Sequence, residues 1–227
     1  MQSKSPFRAI LVTTWTILTF VCFLVVMPSI GKDPYYSCEL ASKWPNSTNL
    51  SKVSNAGHLV VFAHPYCPCT RTTLRNLADL TDLTKINVSV VQLRNASLES
   101  LRSPIPSIAR IVQENNWSLI PDYEGTQANI FGAKTSGECL LYAPNGDLLF
   151  AGGISVSRGH QGENVGLATL KELVHQIAST PERSVNATEE NSSSESNKYA
   201  QFPTFGCPLF VETGCSGDSS ACKENAL

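Results

Sequence analysis

Charge is scarce in this chain, and no stretch of it is basic. Lys and Arg number 17 against 19 Asp and Glu, for a formal net charge of −2. Nothing therefore selects nucleic acid or an anionic membrane surface as a partner. Internal repeats are absent too. Charge is missing altogether from Ala9 to Met27, a mostly apolar run. As a helix that run reaches about 28 Å, close to the thickness of a bilayer's hydrocarbon core. Lys4 and Arg8 precede it, so the N-terminus is expected to stay in the cytoplasm and the rest to be exported. Ser29-Ile30-Gly31 offers the small residues of a cleavage site, but the run exceeds the roughly 7–15 residues of a signal-peptide core. The expected layout is a cytoplasmic start over 1–8, a single-pass anchor over 9–28 in the inner membrane, and a domain on the periplasmic side. Cys22 lies inside the run and does not follow a small residue. It reads as an apolar thiol, not a lipid attachment point.

The exported part holds Cys38, Cys67, Cys69, Cys139, Cys207, Cys215 and Cys222. An oxidising compartment permits disulfides. The odd number leaves a thiol over in a monomer, and spacing does not give the connectivity.

Residues 29–55 are polar, with Pro34 and Pro45, and read as a spacer. A folded pattern runs over 56–179. His58–Ala63 and Asn87–Leu93 read as strands and Cys69–Leu83 as a helix between them. Pro104 and Pro106 introduce a short helix through Ile111 and Val112, and Ala128–Phe131 is a helical turn closed by Gly132. Cys139–Tyr142 and Leu148–Ala151 form a hairpin across Asn145-Gly146, where both residues tolerate positive φ. Val165 to Ile177 has helical spacing. Residues 180–200 are dominated by Glu, Asn, Ser and Thr and form a linker. Residues 201–227 form a cysteine-containing tail whose Phe205, Leu209 and Phe210 suit docking.

The order is β-α-β-α-β-β-α, a mixed sheet with helices on both faces. Its chemistry concentrates in His64-Pro65-Tyr66-Cys67-Pro68-Cys69-Thr70-Arg71, between the first strand and the first helix. A thiol at a helix start meets unpaired backbone N–H groups and the positive end of the dipole, and both favour thiolate. Cys67 is the expected nucleophile. Arg71 adds positive charge, and Thr70 is expected to donate a hydrogen bond to the sulfur. Residues two apart on a helix point about 200° away from each other, so a Cys67–Cys69 disulfide requires a non-helical first turn. The alternatives for Cys69 are resolving thiol, soft-metal ligand for Cu(I) with Cys67, His64 and His160, or a residue packed under the helix. Cys139 reads as a small buried strand residue. Cys207 follows a linker of about 25 residues with an r.m.s. span of roughly 28 Å. It is placed either to resolve a mixed disulfide at Cys67 or to pair with Cys38, Cys215 or Cys222.

These motifs carry a resemblance. Residues 56–178 resemble the thioredoxin-like superfamily. HPYCPCTR, TSGECLLYAPNGDLLFAGGISVSRGHQGENVG and FGCPLF together look like the RedB-type membrane-anchored thioredoxin-like proteins of planctomycete-like bacteria. The resemblance implies a thioredoxin fold and a thiol-disulfide redox role toward protein thiols or disulfides, with no cofactor. The other readings are a copper chaperone binding Cu(I) and a non-catalytic partner-binding module. Two departures from thioredoxins stand out. Thr70 occupies the usual resolving-cysteine position, and Glu138 falls where thioredoxins have a cis-proline.

Overall fold

The computed structural model describes residues 11–22, 35, 37, 39–52, 56–94, 106–179 and 199–210. Cys38, Cys215, Cys222 and the linker over 180–198 lie outside them. The chain divides into two units, Met1–Asp33 and Pro34–Leu227.

In the first unit, residues 11–22 form helix α1. Leu11, Trp15, Leu18 and Phe20 are exposed on it. The hydroxyls of Thr14, Thr16 and Thr19 return to the carbonyls of Leu11, Val12 and Trp15 at 3.0–3.1 Å, so the threonines add no unpaired polar groups. Among the described residues no helix is long and apolar enough to cross a membrane. The remainder of the expected anchor, 9–28, lies outside the described residues.

The second unit is built on a six-stranded sheet of order β3-β2-β1-β4-β5-β6. The elements are β1 (His58–Ala63), α2 (Pro68–Ala78), a 3-10 turn (Thr81–Lys85), β2 (Asn87–Arg94), α3 (Pro106–Glu114), β3 (Ser118–Tyr123), α4 (Thr126–Phe131), β4 (Cys139–Tyr142), β5 (Leu148–Gly152), α5 (Val165–Ser179) and β6 (Ala200–Gln201). β1, β2 and β3 run parallel, while β4 is antiparallel to both β1 and β5. This is the expected mixed thioredoxin-like sheet, with two strands beyond it. Central β1 is buried along its whole length, which is why HLVVFA reads as a continuous apolar run rather than an alternation.

On one face, Leu59 and Val61 pack with Leu74 and Leu77 of α2, Ile108 and Val112 of α3, and Leu170 and Val174 of α5. On the other, Val60, Phe62, Leu140 and Tyr142 need cover that α4 is too short to supply alone. Segment 39–50 supplies it. Trp44 sits 4.6 Å from the His58 ring and edge-on to Phe131 and Tyr142 at 5.4 and 5.3 Å, and Leu50 is buried. Ala41 N–H donates to Phe131 O, and Tyr142 Oη donates to Ala41 O. The second half of the expected spacer is therefore part of the domain, because a sheet face must be covered.

Two other expectations change. The helix expected to reach Leu83 ends at Ala78, where Leu80 turns extended and a separate 3-10 turn begins. β3, SLIPDY, was hidden by Pro121, which reads as a strand breaker. It is an edge strand bonded to β2 alone, where a missing N–H is tolerated.

Candidate functional site

Cys67 is the N-cap of α2, with extended backbone (φ −79°, ψ 124°), and Pro68 opens the helix. Its N–H donates to His64 O at 3.1 Å, closing the turn HPYC. Because Cys67 stands outside the helix, the 200° separation expected from Cys69 does not apply. The two sulfurs are hydrogen-bond partners. Both residues are 1% exposed.

The Cys67 sulfur is ringed by donors. The Cys69 thiol is the largest influence, then the thiol and backbone N–H of Cys207 and the backbone N–H of Thr70. Together they outweigh burial and bring the Cys67 pKa down to about 4. The Cys69 thiol moves the other way. Its hydrogen bond to Cys67, burial and the charge of the Cys67 thiolate all hold its proton, opposed by the Gly159 N–H and the Arg158 cation. One sulfur is thus the anion and its neighbour the proton donor.

Thr70 does not give its hydroxyl to the sulfur as expected. Oγ1 donates to His64 O at 3.2 Å and lies 2.6 Å from Ser136 Oγ, which accepts from His64 N–H at 2.9 Å. With its proton spent on His64, Thr70 accepts from Ser136. Arg71 is exposed on α2, and the cation that bears on the Cys69 sulfur is instead Arg158. Its Nη2 donates to Gly206 O. Cys139 is fully buried, its Sγ 3.8 Å from Gly137 O, and burial pushes its pKa up.

The ligand set expected for Cu(I) is not assembled. His64 Nδ1 accepts from Tyr66 N–H at 3.3 Å. His160 Nδ1 lies 2.9 Å from Ser157 Oγ and 2.8 Å from Arg158 O, pinning its own loop. Among the described residues no group of three or more His, Cys, Asp or Glu is placed to hold a metal ion.

The C-terminal segment brings Cys207 to the site by strand-like pairing. Ser136 N–H donates to Cys207 O and Leu209 N–H to Lys134 O, each at 2.8 Å, around an antiparallel bridge of Thr135 with Pro208. Leu209 is buried against the second core face, and Phe210 lies under Lys134 Nζ at 5.7 Å. A Cβ on Gly206 would overlap the Ser136 carbonyl oxygen, so only glycine allows this approach. Sequence reasoning missed Ser136, Arg158 and Gly159. The glycine-rich Ser157-Arg158-Gly159-His160 stretch was a signal for the last two, but nothing local revealed that the loop folds back over α2.

Glu138, in the cis-proline position, is buried at 1% exposure. Its Oε2 accepts from Lys134 N–H at 3.2 Å and Thr135 N–H at 3.4 Å, and Ser37 Oγ faces it outside strict hydrogen-bond geometry. Burial outweighs these donors and raises its pKa from 4.5 to about 7. An acid whose folded pKa is raised stabilises the fold below its unfolded pKa and loses that contribution as pH climbs through the folded value. Stability is expected to fall between about pH 4.5 and 7, by on the order of 3 kcal/mol. Glu138→Gln, which keeps an acceptor for both N–H groups, should flatten this slope in denaturant melts across that range. An unchanged slope would contradict it.

No protein-family model matches the chain, and no curated protein matches it. Among solved structures, a hypothetical protein of Sinorhizobium meliloti is similar with a TM-score of 0.52 at 18% identity, over 81% of this chain and 97% of that one. An uncharacterized conserved protein of Geobacillus kaustophilus gives 0.51 at 14%, over 80% and 93%. A secreted disulfide oxidoreductase of Mycobacterium tuberculosis overlaps more loosely, at 0.38 and 11%, over 54% and 83%. The first two likenesses are of fold. Sheet order and the cysteine turn at the start of α2 define the fold, which is thioredoxin-like.

Proposed function

We propose that this chain is a thiol-disulfide oxidoreductase of the RedB-type kind, held at the inner membrane by residues 9–28 with its domain on the periplasmic side. The observation that carries the reading is the place of Cys67 at the N-cap of α2, directly before Pro68, where the helix start favours the thiolate, with the Cys69 and Cys207 thiols lowering its pKa further. A thiolate at neutral pH is what disulfide exchange requires. The Cys67 thiolate attacks one sulfur of a protein disulfide R–S–S–R′, forming Cys67–S–S–R and releasing R′–S⁻. Cys69 or Cys207, deprotonated, then attacks the Cys67 sulfur. R–S⁻ leaves, the substrate has gained two electrons, and the protein holds an internal disulfide that an external dithiol reduces. The same exchange runs backwards. A stabilised Cys67 thiolate favours the reduced protein, so the oxidised form is the better disulfide donor.

The test is turnover of a disulfide-bonded protein probe, insulin, with a small dithiol as reductant. Turnover above the dithiol background supports the reading, and its absence would sink it. Cys139→Ala is expected to leave turnover within about twofold and to cost on the order of 1 kcal/mol of stability, as a small buried truncation does. A large loss of turnover in a folded Cys139→Ala protein would overturn the site assignment.

A further inference from the structure

The loop after β5 makes contacts that the exchange reaction above leaves unexplained. It is fixed by its own hydrogen bonds, with Ser157 and His160 bridged, His160 N–H donating to Ser157 O at 3.3 Å, and the His160 ring on both Ser157 Oγ and Arg158 O. From this base Arg158 reaches the C-terminal segment and donates to Gly206 O. Gly159, one residue on, has φ +71° and sends its N–H to the Cys69 sulfur, while its Cα side faces Pro68. One short loop therefore touches the segment that carries Cys207, the Cys69 thiol and the first residue of α2. Gly206 is the residue before Cys207, so whatever fixes the Gly206 carbonyl fixes the peptide plane that carries the Cys207 N–H toward Cys67. Among the other contacts on that segment, Ser136 N–H to Cys207 O holds the far side of the same residue.

We propose that Arg158 is a positioning residue for the resolving step: by latching the Gly206 carbonyl it sets the Cys207 thiol against the Cys67 sulfur, and makes Cys207 the thiol that resolves the mixed disulfide. The inference rests on the exchange reading of Cys67. In the step it serves, the Cys207 thiolate attacks Cys67 Sγ of Cys67–S–S–R. The Cys67–Cys207 bond forms, the Cys67–S(R) bond breaks, and R–S⁻ departs and takes a proton from water. No electrons are exchanged with any third reactant. Unlatched, the segment keeps its pairing with Ser136 and Lys134, but the Gly206–Cys207 peptide is free to rotate and the Cys207 thiol spends much of its time away from Cys67. Latched, it is held near attack geometry, where effective concentrations are orders of magnitude higher.

The experiment uses the full chain, reduced, mixed with oxidised glutathione, acid-quenched over time and mapped by mass spectrometry for Cys67–glutathione, Cys67–Cys207 and Cys67–Cys69. In the unaltered protein Cys67–Cys207 should be the first internal disulfide. In Arg158→Ala the Cys67–glutathione species should form at least as fast, because the cover over Cys67 is loosened. Its conversion to Cys67–Cys207 should slow by at least about tenfold. Arg158→Lys, with one donor head in place of a fork, should fall between the two. Positioning is separated from a general loss of structure by two readouts: the melting midpoint of Arg158→Ala should match that of the unaltered protein, and Arg158→Lys, which restores a donor to the Gly206 carbonyl, should recover part of the resolution rate. Conversion at the unaltered rate in Arg158→Ala would overturn the inference while leaving the exchange reading intact. So would Cys67–Cys69 as the first internal disulfide of the unaltered protein. Absence of any Cys67–glutathione adduct in the unaltered protein would remove the exchange reading itself, and with it the inference.

Discussion

Serine at position 67 is expected to abolish disulfide exchange, with a loss of roughly three orders of magnitude or more, to the level of the reductant alone. A serine hydroxyl titrates far above neutral pH, and neither the donor ring nor the helix start brings it into range. The substitution should also have a visible effect next door. Of the two influences through which Cys67 holds the Cys69 proton, the negative charge vanishes and the hydrogen bond weakens to one with a neutral hydroxyl, while Gly159 N–H and the Arg158 cation stay. The Cys69 thiol should then titrate lower than in the parent protein, so the pH profile of residual alkylation moves to Cys69. A pH series of iodoacetamide labelling with peptide mapping checks both halves. Retained turnover in Cys67→Ser would move the nucleophile elsewhere.

Gly206→Ala should act in the other direction on access. Cys67 and Cys69 are each 1% exposed, and the segment carrying Cys207 is part of what covers Cys67. A Cβ at residue 206 would overlap Ser136 O and come within 2.8 Å of Thr135 Cγ2, which the paired segment cannot absorb. Labelling of Cys67 by iodoacetamide at neutral pH is expected to rise by about tenfold or more, since exchange-limited reactivity follows the open population. Loss of the two Cys207 donors raises the Cys67 pKa only in part, because the Cys69 thiol, the largest influence, remains. The thiolate therefore still predominates at neutral pH while its cover is gone. Equal labelling rates in the two proteins would mean that the segment does not limit access.

Much of this site was legible in the sequence, for local reasons. The apolar run HLVVFA, the prolines and cysteines after it and the amphipathic segment beyond give strand, turn and helix from nearest neighbours alone, and they put Cys67 at the helix start. What was not legible depends on contacts distant in sequence. Ser136 meets Thr70 across 66 residues, and Arg158 meets Gly206 across 48. No periodicity announces either. Thr70 was expected to serve the sulfur because it lies one turn away, but a hydroxyl with a carbonyl and a serine within reach bonds to those first. The spacer expectation failed for a similar reason. Trp44 and Leu50 sit among polar residues, and only the bare second face of the sheet shows why they are there.

The pairing of β6 with β5 carries a consequence for how the domain behaves in a crowded solution. Ala200 and Gln201 pair with Phe150 and Ala151, Phe202 N–H donates to Ala151 O at 2.9 Å, and the Phe202 ring stacks on Phe150 at 5.5 Å. The opposite border of the sheet is blunted by Pro121 in β3. Without β6 the β5 border would be bare, with the Phe150 ring beside it. An open row of strand donors and acceptors is a template for another chain. By pairing with β5, β6 closes the one border of the sheet that has no proline to blunt it.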